Sequence, residues 1–115
     1  VIPLLLALML PARAERLDLE LLRPDGQSFA VHTLEPPRDG EQLVIPDGKK
    51  AWSAAIRRSS YEGRLQVCAD VSQWVGDGHQ AEAVTACVIL DGRETPDGTV
   101  YVKSDDVHVR LTLER

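Results

Sequence analysis

Aromatic side chains are scarce in this 115-residue chain: two Trp, two Tyr and one Phe, 4% of the total. Basic charge is also short, with 13 Lys and Arg against 18 Asp and Glu and a formal net charge of -5. An acidic balance of this kind argues against wholesale nucleic-acid binding, which needs a cationic footprint to displace counterions from phosphate. Long apolar runs are missing after Leu10, so no segment beyond it supplies the roughly 20 residues of a membrane-spanning helix. No Gly-x-Ser-x-Gly turn, His-Glu-x-x-His pair or glycine-rich phosphate cradle is present, and the two cysteines are 19 apart rather than closely paired as in zinc or thioredoxin-type motifs. A sustained helical period is absent as well, which removes the amphipathic helices that would cover a sheet.

What is present begins with an export signal. Val1–Leu10 is apolar apart from Pro3 and runs into Pro11, Ala12, Arg13 and Ala14. This is the core of a signal peptide, here N-terminally incomplete, followed by a small-x-small cleavage site. Residues 1–14 are therefore expected to be removed, leaving Glu15 to Arg115 as a single domain. Loss of Arg13 leaves 12 basic and 18 acidic residues, a net charge of -6. No Cys precedes Cys68, so an acylated N-terminal cysteine is not expected. In an exported, periplasmic or extracellular chain, Cys68 and Cys87 are expected to form one disulfide, because those compartments are oxidising.

Six of the eight glycines follow aspartate, at Asp25, Asp39, Asp47, Asp77, Asp91 and Asp97. These pairs read as turns, since Gly takes positive φ without steric cost and Asp bonds its own backbone two residues on. Calcium would need several oxygen ligands in one loop, and each loop offers one or two. Short runs with period-two alternation lie between the turns. The expected class is all-β: about eight short strands that, lacking helices, bury their faces against one another in a small antiparallel β-sandwich or an irregular barrel with one disulfide.

Registers follow from arithmetic. A three-residue turn at Pro24-Asp25-Gly26 pairs residues summing to 50, so that Leu21 faces Phe29, Leu19 faces Val31, Leu17 faces Thr33 and Asp18 lies across from His32. Setting Cys68 opposite Cys87 pairs Leu65 with Leu90, Val67 with Val88, Ala69 with Ala86 and Val71 with Val84. Four apolar pairs then share one face and the cystine lies on the more polar side, an agreement that a one-residue slip would destroy. Further strands are expected at 42–45, 51–57, 99–103 and 107–113. The last two place Val100 and Val102 across from Val109 and Val107, and Tyr101 across from His108. The hairpin at Pro46-Asp47-Gly48 has no register that satisfies both sides.

Charge placement is the strongest functional signal. Lys49–Arg64 carries Lys49, Lys50, Arg57, Arg58 and Arg64 against Glu62 alone, or +4, while the rest of the mature chain has 7 basic and 17 acidic residues, or -10. Trp52 and Tyr61 lie in the same window. Arg beside exposed aromatic surface is the composition of a binding hot spot. The expected function is thus an exported, non-catalytic binding or accessory module of the bacterial cell envelope. It would recognise a protein or an anionic envelope component through Trp52, Arg57, Arg58, Tyr61 and Arg64, without a cofactor. Two alternatives stand beside it: a metal-dependent or hydrolytic enzyme using Asp105, Asp106 and His108, and a structural subunit that pairs by strand addition.

Overall fold

A computed structural model describes residues 15–75, 79–90 and 97–114. The expected signal segment and the turns at Asp77-Gly78 and Asp91-Gly92 lie outside the described residues. The chain is all-β, with β1 (Arg16–Leu22), β2 (Ser28–Leu34), β3 (Gln42–Asp47), β4 (Lys50–Tyr61), β5 (Arg64–Val75), β6 (His79–Leu90), β7 (Asp97–Lys103) and β8 (His108–Glu114). They form two four-stranded antiparallel sheets, ordered β2-β1-β8-β7 and β3-β4-β5-β6. Every strand neighbours its successor in sequence except at β2/β3 and β6/β7, and β8 returns to pair with β1. This is the order of an up-and-down barrel opened at two seams, so sandwich and barrel describe the same molecule.

Alternation builds the core. Leu17, Leu19 and Leu21 of β1, Val109, Leu111 and Leu113 of β8, Trp52, Ala54 and Ile56 of β4, and Val67, Ala69 and Val71 of β5 all point inward and are buried. Between β5 and β6 the register is the one expected from the cysteines, with Leu65, Val67, Cys68, Ala69 and Val71 opposite Leu90, Val88, Cys87, Ala86 and Val84. Cys68 and Cys87 are disulfide-bonded, with α-carbons 4.0 Å apart.

Two hairpins correct the sequence arithmetic. The Pro24-Asp25-Gly26 turn forms as expected: the Arg23 amide donates to the Gln27 carbonyl at 2.7 Å, and Gly26 has φ of +93°. A β-bulge at Leu21/Leu22 then slips the ladder by one, giving Leu21–Ala30, Leu19–His32 and Leu17–Leu34. Phe29 is the extra residue. It leaves the ladder to pack its ring 6.3 Å from Trp52 and beneath the Arg23 guanidinium at 4.1 Å. The slip buries Leu34 and turns Val31 out to 61% exposure. Asp18 consequently meets Thr33, whose hydroxyl donates to it at 2.7 Å, while His32 is half-buried opposite Leu19. In the last hairpin Val102 faces Val109 and Val100 faces Leu111, an offset of two that keeps the apolar face. The cause is a four-residue turn, Ser104–Val107, closed by the Ser104 amide on the Val107 carbonyl at 3.0 Å.

The hairpin that sequence left open pairs Ile45 with Trp52 and Asp47 with Lys50 around Gly48 and Lys49. Gly48 alone of the two is left-handed, the pattern of a type II′ turn. Asp97-Gly98, read as a turn, instead lies in β7. Gly is required there by close approach: a β-carbon at Gly98 would lie 2.9 Å from the Ile89 carbonyl oxygen of β6. Among the described residues, no helix is long and apolar enough to cross a membrane.

Candidate functional site

At twelve residues, β4 and β5 are longer than any strand of the opposing sheet. The inward row of β4 ends its core contribution at Ile56; from Arg57 to Tyr61 the strand is exposed or half-buried. The loop joining β2 to β3 flanks β4 as far as Arg58, whose amide donates to Asp39 at 2.9 Å. Beyond it, β4 pairs only with β5, which β6 still flanks as far as the Leu65–Leu90 pair, and the Tyr61–Arg64 turn forms the tip of this β4–β5 arm, past both neighbours. Glu62 and Gly63 close the arm with φ of 51° and 76°, the two left-handed positions of a type I′ turn.

Cross-strand pairing orders the outer face of the arm. Arg57 stands opposite Cys68, Ser59 opposite Gln66, and Tyr61 opposite Arg64. Arg57 grips Asp70 bidentately at 2.7 and 3.1 Å, and Asp70 also accepts from the Thr85 hydroxyl at 2.7 Å. These bonds, the Arg57 one foremost, hold the Asp70 carboxyl below its ordinary range. The bonded triad ties β4, β5 and β6 together beside the cystine, so the base of the arm is fixed covalently and electrostatically. At its tip Tyr61 is 51% exposed, and Arg64 is exposed with no ion-pair partner among the described residues.

Of the five residues singled out in sequence, Arg57, Tyr61 and Arg64 share this face. Trp52 does not. It points inward with Ala54 and Ile56, is 2% exposed, and donates its indole N–H to Asp47 at 3.1 Å. Arg58 also lies on the inward row, past the core, where it donates to the Pro37 carbonyl at 3.1 Å and pairs with Glu15 at 3.1 Å. Lys49 and Lys50 are at the far end of β4, about 35 Å from Tyr61 at 3.3 Å per residue. The +4 window therefore does not make one patch: strand length separates its ends, alternation splits Arg57 from Arg58, and carboxylates neutralise both arginines.

Other groupings were not read from the sequence, apart from the meeting of Tyr101 with His108, which in the true register stand opposite Arg110 and Lys103. Arg23 binds Asp47 at 2.6 Å at one end of the β2/β3 seam, and Arg58 binds Glu15 at the other. These side-chain clasps join the sheets where backbone pairing stops. On the outer face of β2-β1-β8-β7, Arg110 bonds Glu20 at 2.6 Å, and Arg16 bonds Asp18 at 3.5 Å and also Glu114. Arg110 and Lys103 flank the Tyr101 ring at 5.2 and 5.8 Å, and the Tyr101 hydroxyl meets His108 Nδ1 at 2.8 Å. A shallow depression of about 450 Å³ lies among Arg16, Asp18, Glu20, Val31, Thr33, Arg110 and Thr112. Its carboxylates are each held by a guanidinium or a hydroxyl. The outward residues at 99, 101 and 103 and at 108, 110 and 112 were the available signal, and only the true register shows which of them meet.

The metal set weighed in sequence is not assembled. Asp105 and Asp106 are exposed in the β7–β8 turn while the His108 ring is engaged by Tyr101. Among the described residues, no three His, Cys, Asp or Glu side chains gather closely enough to hold a metal ion. Compared with models of known protein families, with curated proteins and with solved structures, the chain matches none.

Proposed function

We propose that this protein is an exported, non-catalytic binding module of the bacterial cell envelope that engages a protein partner through the outer face of the β4–β5 arm. The observation that carries this reading is the exposed Tyr61–Arg64 pair, set directly across a tight turn on a hairpin whose strands are joined at the base by Arg57 and Asp70 and whose second strand is bonded to β6 by the cystine. Tyr and Arg dominate interface hot spots, and a contact surface held rigid before association loses less entropy on binding. The cystine supports an oxidising compartment, periplasmic or extracellular. A protein is favoured over an anionic envelope component because Asp70 and Glu15 neutralise Arg57 and Arg58, leaving Arg64 as the cation of the arm with no ion-pair partner among the described residues.

A photo-crosslinking side chain placed at Tyr61, in protein exposed to its own envelope fraction, should trap a discrete adduct; the same probe at Thr99 on the opposite sheet should not. Combining Tyr61→Ser with Arg64→Glu should remove that partner while changing stability by less than about 0.5 kcal/mol, the usual range for surface positions. Equal adducts from both probe sites, or a partner retained by the double variant, would sink the reading.

A further inference from the structure

The edges of the two sheets are not equally protected. In β3, Pro46 and Asp47 interrupt the edge, as proline and charge do where strand-to-strand association is to be prevented. β7 and β6 cover one another where Gly98 abuts the Ile89 carbonyl. β2 differs. Its seven residues, Ser28–Leu34, include no Lys, Arg, Asp, Glu or Pro. It pairs with β1 on one side, and among the described residues no backbone group bonds its other side. Val31 stands at its centre, 61% exposed. From Ala30 to Leu34, beyond the bulge at Phe29, the strand pairs regularly with β1, and such a stretch with a free edge and no lysine, guanidinium or carboxylate is a template for another strand.

We propose that β2 is a docking edge for a second copy of this chain, with two β2 strands pairing antiparallel about a two-fold axis at Val31. The strand is self-complementary in this arrangement. Within the regular stretch, Val31 meets the second copy's Val31 and Ala30 meets the second copy's His32. No carboxylate or guanidinium lies on either strand. The acidic side chains of neighbouring β1 are already engaged, Asp18 by Thr33 and Glu20 by Arg110, so they do not oppose the approach. A two-fold contact presents the same patch on both partners, which is the commonest way for identical chains to associate. Pairing satisfies the free backbone groups, covers the most exposed apolar residue of this sheet and yields one continuous eight-stranded sheet across the dimer. The Tyr61–Arg64 arm belongs to the other sheet, so a failure here leaves the proposed function standing.

Val31 and Val44 provide a matched test, since both are exposed valines on edge strands, at 61% and 67%. In the mature chain, Val31→Cys should form a disulfide-linked dimer under mild oxidation, because paired α-carbons in antiparallel strands lie about 4.5–5.5 Å apart. Val44→Cys should remain monomeric. In sedimentation equilibrium the unmodified protein should dimerise with increasing concentration. Val31→Lys should weaken that dimer by at least about tenfold, or about 1.4 kcal/mol, and Val44→Lys should not. Circular dichroism of each lysine variant checks that the fold persists. A monomer at every accessible concentration, a dimer that survives Val31→Lys, or equal cross-linking at both positions would overturn the proposal.

Discussion

One carboxylate joins three parts of the molecule. Asp47 accepts both terminal nitrogens of Arg23, at 2.6 and 2.7 Å, and the Trp52 indole N–H at 3.1 Å. It thereby links the β3–β4 turn, the β1–β2 turn and the core. The Arg23 bonds, followed by the Trp52 bond, bring its carboxyl from an ordinary value of 3.8 down to about 2. A folded-state value below the unfolded one means that this stabilisation is complete above roughly pH 4 and is lost as pH falls through about 2. Asp70, lowered chiefly by Arg57, adds to stability with the same sign. We expect Asp47→Asn to cost about 2 kcal/mol at neutral pH, the scale of hydrogen bonds to charged groups, and to converge on the parent protein near pH 2. Urea denaturation across that range measures it, and parallel pH profiles for the two proteins would refute the assignment.

Within the β4–β5 hairpin, the turn is the strained position. A type I′ turn needs positive φ at both central residues and favours Asn-Gly, yet the first position is Glu62 at φ of 51°. Left-handed backbone costs a residue with an ordinary side chain about 1–2 kcal/mol, and Asn bears it better. Glu62→Asn should therefore raise stability by about 1 kcal/mol, seen as a higher urea midpoint with an unchanged slope. An unchanged midpoint would show that the turn is not strained. This arm also shows the limits of reading turns from composition. Asp25-Gly26 and Asp47-Gly48 stand at turns because local φ preferences decide them. The Glu62-Gly63 turn carries no such signature, and β4 was expected to stop at Arg57. Nothing local marks the arm: it exists because β5 supplies a partner for every residue up to Tyr61.

Across the whole molecule, the two seams are held by different means, and at β2/β3 only the ends are joined, which leaves the middle of the β2 edge unpaired among the described residues. Side-chain clasps at Asp47 and Glu15 bracket β2/β3, whereas β6/β7 relies on close backbone approach at Gly98. A β-carbon there would meet the Ile89 carbonyl oxygen at 2.9 Å and a Val88 methyl at 3.3 Å, and backbone cannot yield as a side-chain end can. Gly98→Ala should cost about 1–3 kcal/mol, the range for an overpacked interior. That corresponds to a melting temperature lower by at least about 4 °C in a domain of this size. Amide chemical shifts should move mainly along β6 and β7. A variant as stable as its parent would show that the seam is looser than drawn.

The sequence by itself determined the all-β class, the Pro24-Asp25-Gly26 turn, and the cystine with its register between β5 and β6. Each rests on interactions that are local or strictly periodic: φ preferences in the turn, period-two alternation, and four apolar pairs that only one alignment satisfies. Tertiary structure decided the rest. Phe29 slips the β1–β2 register because Trp52 and Arg23 hold its ring, and neither contact is encoded in the hairpin's own alternation. Five cations that adjoin in sequence become one arginine with no ion-pair partner among the described residues, two lysines at the opposite end of a strand and two ion pairs. Successive strand residues face opposite ways and travel about 3.3 Å each, and the carboxylates that neutralise Arg57 and Arg58 arrive from 13 and 43 residues away.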